Sequence, residues 1–307
     1  MSTFEPRPSN ESTAEEHARL QLLFRRASSL PQLPQTALRL IQLIDEGESG
    51  ARQLEQVILE DPGLAAELLR HASLSAHDRE PPVSIRQVIM RLGQNTVRSI
   101  SSSMLVSLAI RRGEIVGPFN PRRSAMRSTA TAIIARFLYA RAKQSKPFES
   151  AWSADDLYAA GLLLSLPVAL LAKVAHEVFR RTFHSALRTQ TSVESAYRAL
   201  YGESLFQLGA DAASSWNMAS VFTTALRCFE EPSSFEQEYV PLCCLNYANQ
   251  IVVGSDTGLE PWPVARTISP EVEEEVGMQD EEIAALLQSV QAHLRVSGYV
   301  DSQSPSP

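Results

Sequence analysis

Apolar residues recur at three- and four-residue intervals along almost the whole chain. Leu33, Ala37, Leu40, Ile41 and Ile44 share one such stripe, as do Leu54, Val57 and Ile58, then Leu64, Leu68 and Leu69. The same period predicts helices over Val88–Leu92, Thr96–Ile110, Ser124–Ala142, Asp155–Leu164, Val168–Phe179, Val193–Leu200, Leu205–Trp216, Val221–Phe229 and Glu238–Val253. No segment alternates as a half-buried strand does, so the expected class is all-α. The punctuation agrees with this reading. Pro34, Pro62 and Pro121 stand where helices would begin, and Asp61 before Pro62 is placed to cap one. Gly47, Gly93, Gly113, Gly202 and Gly254 fall near the ends of runs.

The organisation follows from where the pattern stops. Residues 1–12 and 301–307 are polar and proline-containing and read as flexible tails. Between them, 13–255 reads as one helical domain in two lobes, an N-terminal one to about 115 and a second over about 118–255. The joint at Gly113 to Pro121 is expected to let the halves shift. Residues 256–300 read as a connector followed by a last amphipathic helix, Asp280–Arg295, with Ile283, Leu286, Leu287, Val290 and Leu294 on its apolar stripe.

Composition narrows this further. At 307 residues and 44% hydrophobic, the chain can bury a substantial core. Cys228, Cys243 and Cys244 are too few and too clustered for a disulfide framework, which points to a reducing cytoplasm. Met1 to Thr13 lacks the apolar run of a secretory signal. Leu157 to Ala172 carries no charge, but it contains Pro167 and is shorter than the roughly 20 residues of a bilayer span, so it reads as buried core helix. Charge is uneven: residues 86–148 hold twelve Lys and Arg against the single acid Glu114, and the remainder of the chain after them is strongly acidic. Arg86, Arg91, Arg98, Arg111, Arg112, Arg122, Arg123 and Arg127 are therefore candidates for binding an anion or a partner. Solvated helix faces balanced by the acidic half are the weightier reading. Arginine clusters without interleaved exposed aromatics are poor evidence for nucleic acid, which the acidic half would repel.

Signatures of catalysis are missing. His17, His71, His77, His176, His184 and His293 include no pair at the i, i+4 spacing that presents two ligands on one helix face. His77-Asp78 sits in a polar stretch ending at Pro81-Pro82 and reads as a surface loop. There is no glycine-rich phosphate loop, dinucleotide fingerprint or nucleophile elbow. Trp152, Trp216 and the leucines 162, 163, 166, 170 and 171 are expected in the core rather than around a cofactor.

Leu30-Pro31-Gln32-Leu33-Pro34 before a helix, Asp61-Pro62-Gly63-Leu64-Ala65-Ala66-Glu67-Leu68-Leu69, Pro82-Val83-Ser84-Ile85 and Leu92-Gly93 resemble the HDOD family, the HD-related output domains of bacterial signalling proteins. The resemblance runs in order from about Leu30 to about Gly254. It implies an HD-like helical bundle, whose parent superfamily binds metal through a histidine, a His-Asp pair and a final aspartate. On that resemblance the four positions are here Arg127, Leu164-Ser165 and Asn249. A histidine frequent after the mid-domain glycine is missing from Gly202-Glu203-Ser204, and a histidine pair ending the next helix is replaced by Cys228-Phe229. Ser73-Leu74 stands where the family often has Asn-Ser.

Leucine cannot coordinate a cation and Arg127 would repel one, so neither metal nor cofactor is expected. The resemblance implies a non-catalytic signalling module acting by protein–protein contact, with two-component or cyclic-dinucleotide signalling proteins as partners and no membrane insertion. The residues before Leu30 leave no room for a receiver or kinase domain, so the signal is expected from another chain. The alternative is a sensor that holds an anionic small molecule or nucleotide in the vestigial cavity near Arg127. A metal-dependent phosphohydrolase ranks third.

Overall fold

The computed structural model describes residues 10–26, 50–74, 82–111, 117–216, 218–253 and 264–296, with Arg39, Leu43, Ile115 and Ser255 between them. Among these residues the chain is helical and has no strand, as the 3.6-residue period predicts. Most of the stripe from Leu33 to Ile44, the His77-Asp78 dipeptide, Gly47, Gly113, Gly254 and the tail 301–307 lie outside the described residues.

Four helices build the N-terminal lobe: α2 (Ala51–Leu59), α3 (Pro62–Leu74), α4 (Ile85–Leu92) and α5 (Gln94–Arg111), numbered after α1 (Asn10–Arg26). The start of α3 is as the sequence predicts, with Pro62 in the first turn and the Asp61 carboxylate accepting the Leu64 amide at 3.1 Å. On α4, Ile85, Val88 and Ile89 are buried while Arg86 and Met90 face outward. The second lobe holds α6 (Pro121–Ser145), α7 (Ala154–Leu163), α8 (Leu166–Val174), α9 (His176–Thr189), α10 (Val193–Tyr201), α11 (Leu205–Ser215), α12 (Ser220–Cys228) and α13 (Tyr239–Val253). Beyond them lie α14 (Pro270–Val276) and α15 (Asp280–Val296).

The long helix α6 is the axis of the molecule, packed by α5, α7, α13 and α15. Many of its buried positions are small, among them Ala125, Ser128, Ala132 and Ala135, which lets α7 come unusually near. Gly161 on α7 makes the closest approach: a Cβ there would lie 2.5 Å from the Ala132 Cα, so no larger residue fits without moving a helix. The apolar stretch across α7 and α8, Ala154–Val174, is long and apolar enough to cross a membrane by composition, yet 89% of its most apolar window is buried inside the fold. Leu162, Leu163, Leu166, Leu170 and Leu171 are core residues, as expected.

The sequence reading is corrected at three places. Asn10–Ser12, assigned to a tail, already belong to α1, and α1 packs on α8, α10 and α11 of the second lobe rather than on the first. The cause is the stripe His17, Leu20 and Phe24, all buried, with His17 Nδ1 3.2 Å from the Tyr197 hydroxyl. The run Val168–Phe179 is two helices broken at Ala175, where the backbone leaves the helical region so that α9 can pack on α10. Residues read as connector contain α14, capped by the Ser269 hydroxyl, which accepts the Val272 amide. Helix α5 packs against α6, α7 and α8, so among the described residues the two lobes share one continuous core.

Candidate functional site

Arg127 lies on the second turn of α6, positioned by the Asn120 cap and Pro121 at the helix start. Its side chain is buried, 1% exposed, so it cannot belong to an exposed anion-binding band as the sequence reading placed it. Nη1 donates to Glu194 Oε1 at 2.5 Å, and Nη2 donates to Asn249 Oδ1 at 2.9 Å. Glu194 comes from the first turn of α10, set by the Ser192 hydroxyl accepting the Ser195 amide, and Asn249 comes from α13. Both are buried. A guanidinium removed from water needs a counter-charge and hydrogen-bond acceptors, and these two residues supply the charge and one acceptor each from two further helices.

Two of the positions singled out by resemblance, Arg127 and Asn249, therefore meet directly. Leu164 and Ser165 form the buried junction of α7 and α8, the leucine packed in the core and the serine hydroxyl without a hydrogen-bond partner among the described residues. Ser204 instead caps α11, accepting the Phe206 amide at 3.2 Å and donating to Glu230.

Glu194 and Asn249 also line a cleft of about 300 Å³, together with Phe206, Phe229, Glu230 and Glu231. Arg198 on its rim is tied to Glu230 at 2.6 Å. The carboxylates here outnumber the bases, which opposes the anionic ligand that the sequence reading kept as its alternative.

The basic band is dispersed. Arg86 donates to Glu55 at 3.0 Å, Arg141 pairs with Glu282 at 3.3 Å and Lys146 with Glu275 at 3.6 Å, so acids of α14 and α15 neutralise part of it. Arg91 and Arg122 are exposed and Arg123 is half-buried. The side chains of Arg98 and Arg111 and all of Arg112 lie outside the described residues.

The family profile of the HDOD domain matches residues 30–232, well over half of the chain. The chain belongs to the HDOD family. Among solved structures, an HDOD domain protein of unknown function from Geobacter sulfurreducens is similar with a TM-score of 0.63 at 18% identity, over 92% of this chain and 97% of that one. A provisionally named signal transduction protein from Marinobacter aquaeolei VT8 gives 0.63 at 19% identity, over 94% and 66%. A provisionally named metal-dependent phosphohydrolase from Shewanella amazonensis SB2B gives 0.61 at 18%, over 94% and 100%. At these identities the likeness establishes the shared fold. Among curated proteins, none matches.

HD relatives imply a metal, and the residues of this HDOD chain do not fit one. A guanidinium, an aliphatic side chain, a hydroxyl and an amide occupy the four positions, and among the described residues no three His, Cys, Asp or Glu side chains converge. Cys243 is no substitute, since burial pushes its thiol up to about 11.

The HDOD core holds a second polar cluster that the sequence reading did not single out. His71 on α3 lies with Nε2 3.0 Å from Asp155 Oδ1 on α7, under the ring of Tyr158, and Arg136 on α6 approaches the same oxygen at 3.5 Å. Burial holds the imidazole below its usual range despite the aspartate, so the neutral ring donates to a charged carboxylate. Burial alone would raise Asp155, but its hydrogen bond from His71 and the nearby charge of Arg136 outweigh that and keep it below the ordinary range. No spacing could have revealed the contact, because its three residues come from three separate helices.

Proposed function

We propose that this HDOD chain is a non-catalytic signalling module of the bacterial cytoplasm that acts by binding other signalling proteins, those of two-component or cyclic-dinucleotide pathways. The observation that carries the reading is the buried Arg127–Glu194–Asn249 set. At a position where an HD enzyme needs a metal ligand, the chain carries a fixed positive charge and its own counter-ion. Such a site keeps the fold while leaving nothing to activate a water.

What remains available is surface. Val83 before α4 and Met90 on it are 81% and 71% exposed, beside the exposed Arg86 and Arg91. Exposed apolar side chains among arginines are the composition of interface anchors.

The test has two arms on the purified full chain. Metal analysis and a phosphodiesterase assay are expected to find neither bound metal nor turnover, and stoichiometric iron, manganese or zinc tracking a rate would overturn the reading. Met90→Glu with Arg91→Glu is expected to melt like wild type yet lose signalling proteins that wild type captures from its own cell extract. Identical capture would remove this face from the proposal.

A further inference from the structure

Arg70 and His71, consecutive on α3, tie the N-terminal lobe to two different helices. His71 lies 3.0 Å from Asp155 on α7, and Arg70 Nη1 donates to His293 Nε2 on α15 at 2.5 Å. The second contact dictates its own protonation. A guanidinium has donors and no acceptor, so this bond exists only while Nε2 of His293 keeps its lone pair and the ring is neutral, with its proton on Nδ1. A proton on Nε2 fills that lone pair and sets two cations face to face. Histidine is the side chain whose ordinary range for gaining that proton falls between about pH 5 and 8.

The helices around the contact add no charge that favours the protonated ring. α6, on which α15 packs, carries bases and no acid, and α4 and α5, packed on α3, carry none either. α2 brings Glu55, bound to Arg86. The one acid of α3 is Glu67, whose side chain lies outside the described residues. On α7, Asp155 is engaged by His71 and Arg136, and Asp156 by the Ser153 cap. α15 itself brings Arg295 nearby, while Asp280, Glu281 and Glu282 stand about three turns away at its other end.

That other end is pinned without a histidine. Just before α15 the Tyr247 hydroxyl accepts the Met278 amide at 2.9 Å, and Arg141 donates to the Gly277 carbonyl at 3.1 Å and pairs with Glu282. The helix is thus fixed at its start and fastened near its finish by a bond that one proton breaks. We propose that the Arg70–His293 contact is a proton-operated latch, which opens as the medium turns mildly acidic and frees the last turns of α15 from the N-terminal lobe while the first turns stay on α6. Leu294, beside His293 and fully buried, opposes the opening, so the response is a rise in the population of the open end. The device stands apart from the partner-binding reading and does not depend on it.

Hydrogen exchange followed by mass spectrometry on the full chain, at pH 7.5 and 5.5 and corrected for intrinsic exchange, measures that population. Peptides over residues 289–295 are expected to lose protection at least about fivefold at the lower pH, one proton allowing up to about tenfold per pH unit, while those over 280–286 change less than about twofold. His293→Gln keeps an acceptor for Arg70 and cannot gain a proton, so the step is expected to vanish. Arg70→Gln removes the fixed cation and gives a charged His293 an oxygen to donate to, and the step is expected to vanish again. His71→Gln is expected to retain it, which separates the latch from the neighbouring buried histidine. Equal protection at the two pH values, a loss shared by both ends of α15, a step that survives in His293→Gln or Arg70→Gln, or one abolished by His71→Gln would each overturn the proposal.

Discussion

Arg127 with Glu194 and His71 with Asp155 are both cross-helix pairs in one core, yet they treat charge in different ways. The first buries a permanent cation and a carboxylate, each almost wholly out of water, and completes the set with an amide from a third helix. The second keeps its imidazole neutral, and the Asp155 side chain remains 17% exposed with Arg136 near it. In the first cluster the guanidinium keeps its positive charge at every ordinary pH. The other responds to protons, because a histidine sits at its centre. The pair at Arg127 is thus built around a permanent charge, while an ordinary interlobe contact makes the fold responsive to pH.

The sharpest way to break the comparison is to leave one buried charge alone. Arg127→Ala strands Glu194 and is expected to cost about 3–5 kcal/mol of stability in urea unfolding. Arg127→Met combined with Glu194→Leu should recover most of that loss, since an apolar pair of similar volume needs no counter-charge. If the double variant is as unstable as the single one, packing rather than charge holds the site. A smaller effect is expected from Gly161→Ala. Its methyl meets the backbone of Ala132, midway along α6 between Arg127 and Arg136, and should cost about 1–3 kcal/mol by forcing α6 and α7 apart. The smallest effect separates the clusters by pH. A histidine held below its usual value of about 6.5 stays neutral in the folded chain but charges in the unfolded one, so stability is full above that value and falls as pH drops through it. One such proton contributes a slope of no more than about 1.4 kcal/mol per pH unit. Unfolding free energies from pH 7.5 to 5.5 should show the decline, and His71→Gln should reduce it. His17, also depressed by burial, sustains the remainder.

Much of this was legible in the chain. The helical period and the Asp61 cap follow from local rules, and Asn249 and Arg127 are found by matching positions to a family. Glu194 was not found, for a physical reason. It sits in the first turn of α10 directly after its Ser192 cap, where an acid is expected to complement the helix dipole, so nothing marks it as buried. The reach of Arg127 toward it spans 67 residues of sequence, and the His71 to Asp155 contact spans 84. Periodicity reads a helix's faces, but it does not say which face meets which partner. The first helix was passed over because its stripe of His17, Leu20 and Phe24 is narrow and begins with a polar residue.

That first helix has a consequence in time. Its hydrogen bond to Tyr197 closes a loop of 180 residues, so α1 leaves the ribosome long before α10 and α11 exist. At about 5–20 residues per second the wait is roughly 10–40 s. Through that interval Leu20 and Phe24 lack the surface that later covers them. A helix made well before its partners is therefore among the last to dock, and the second lobe is sealed by α1.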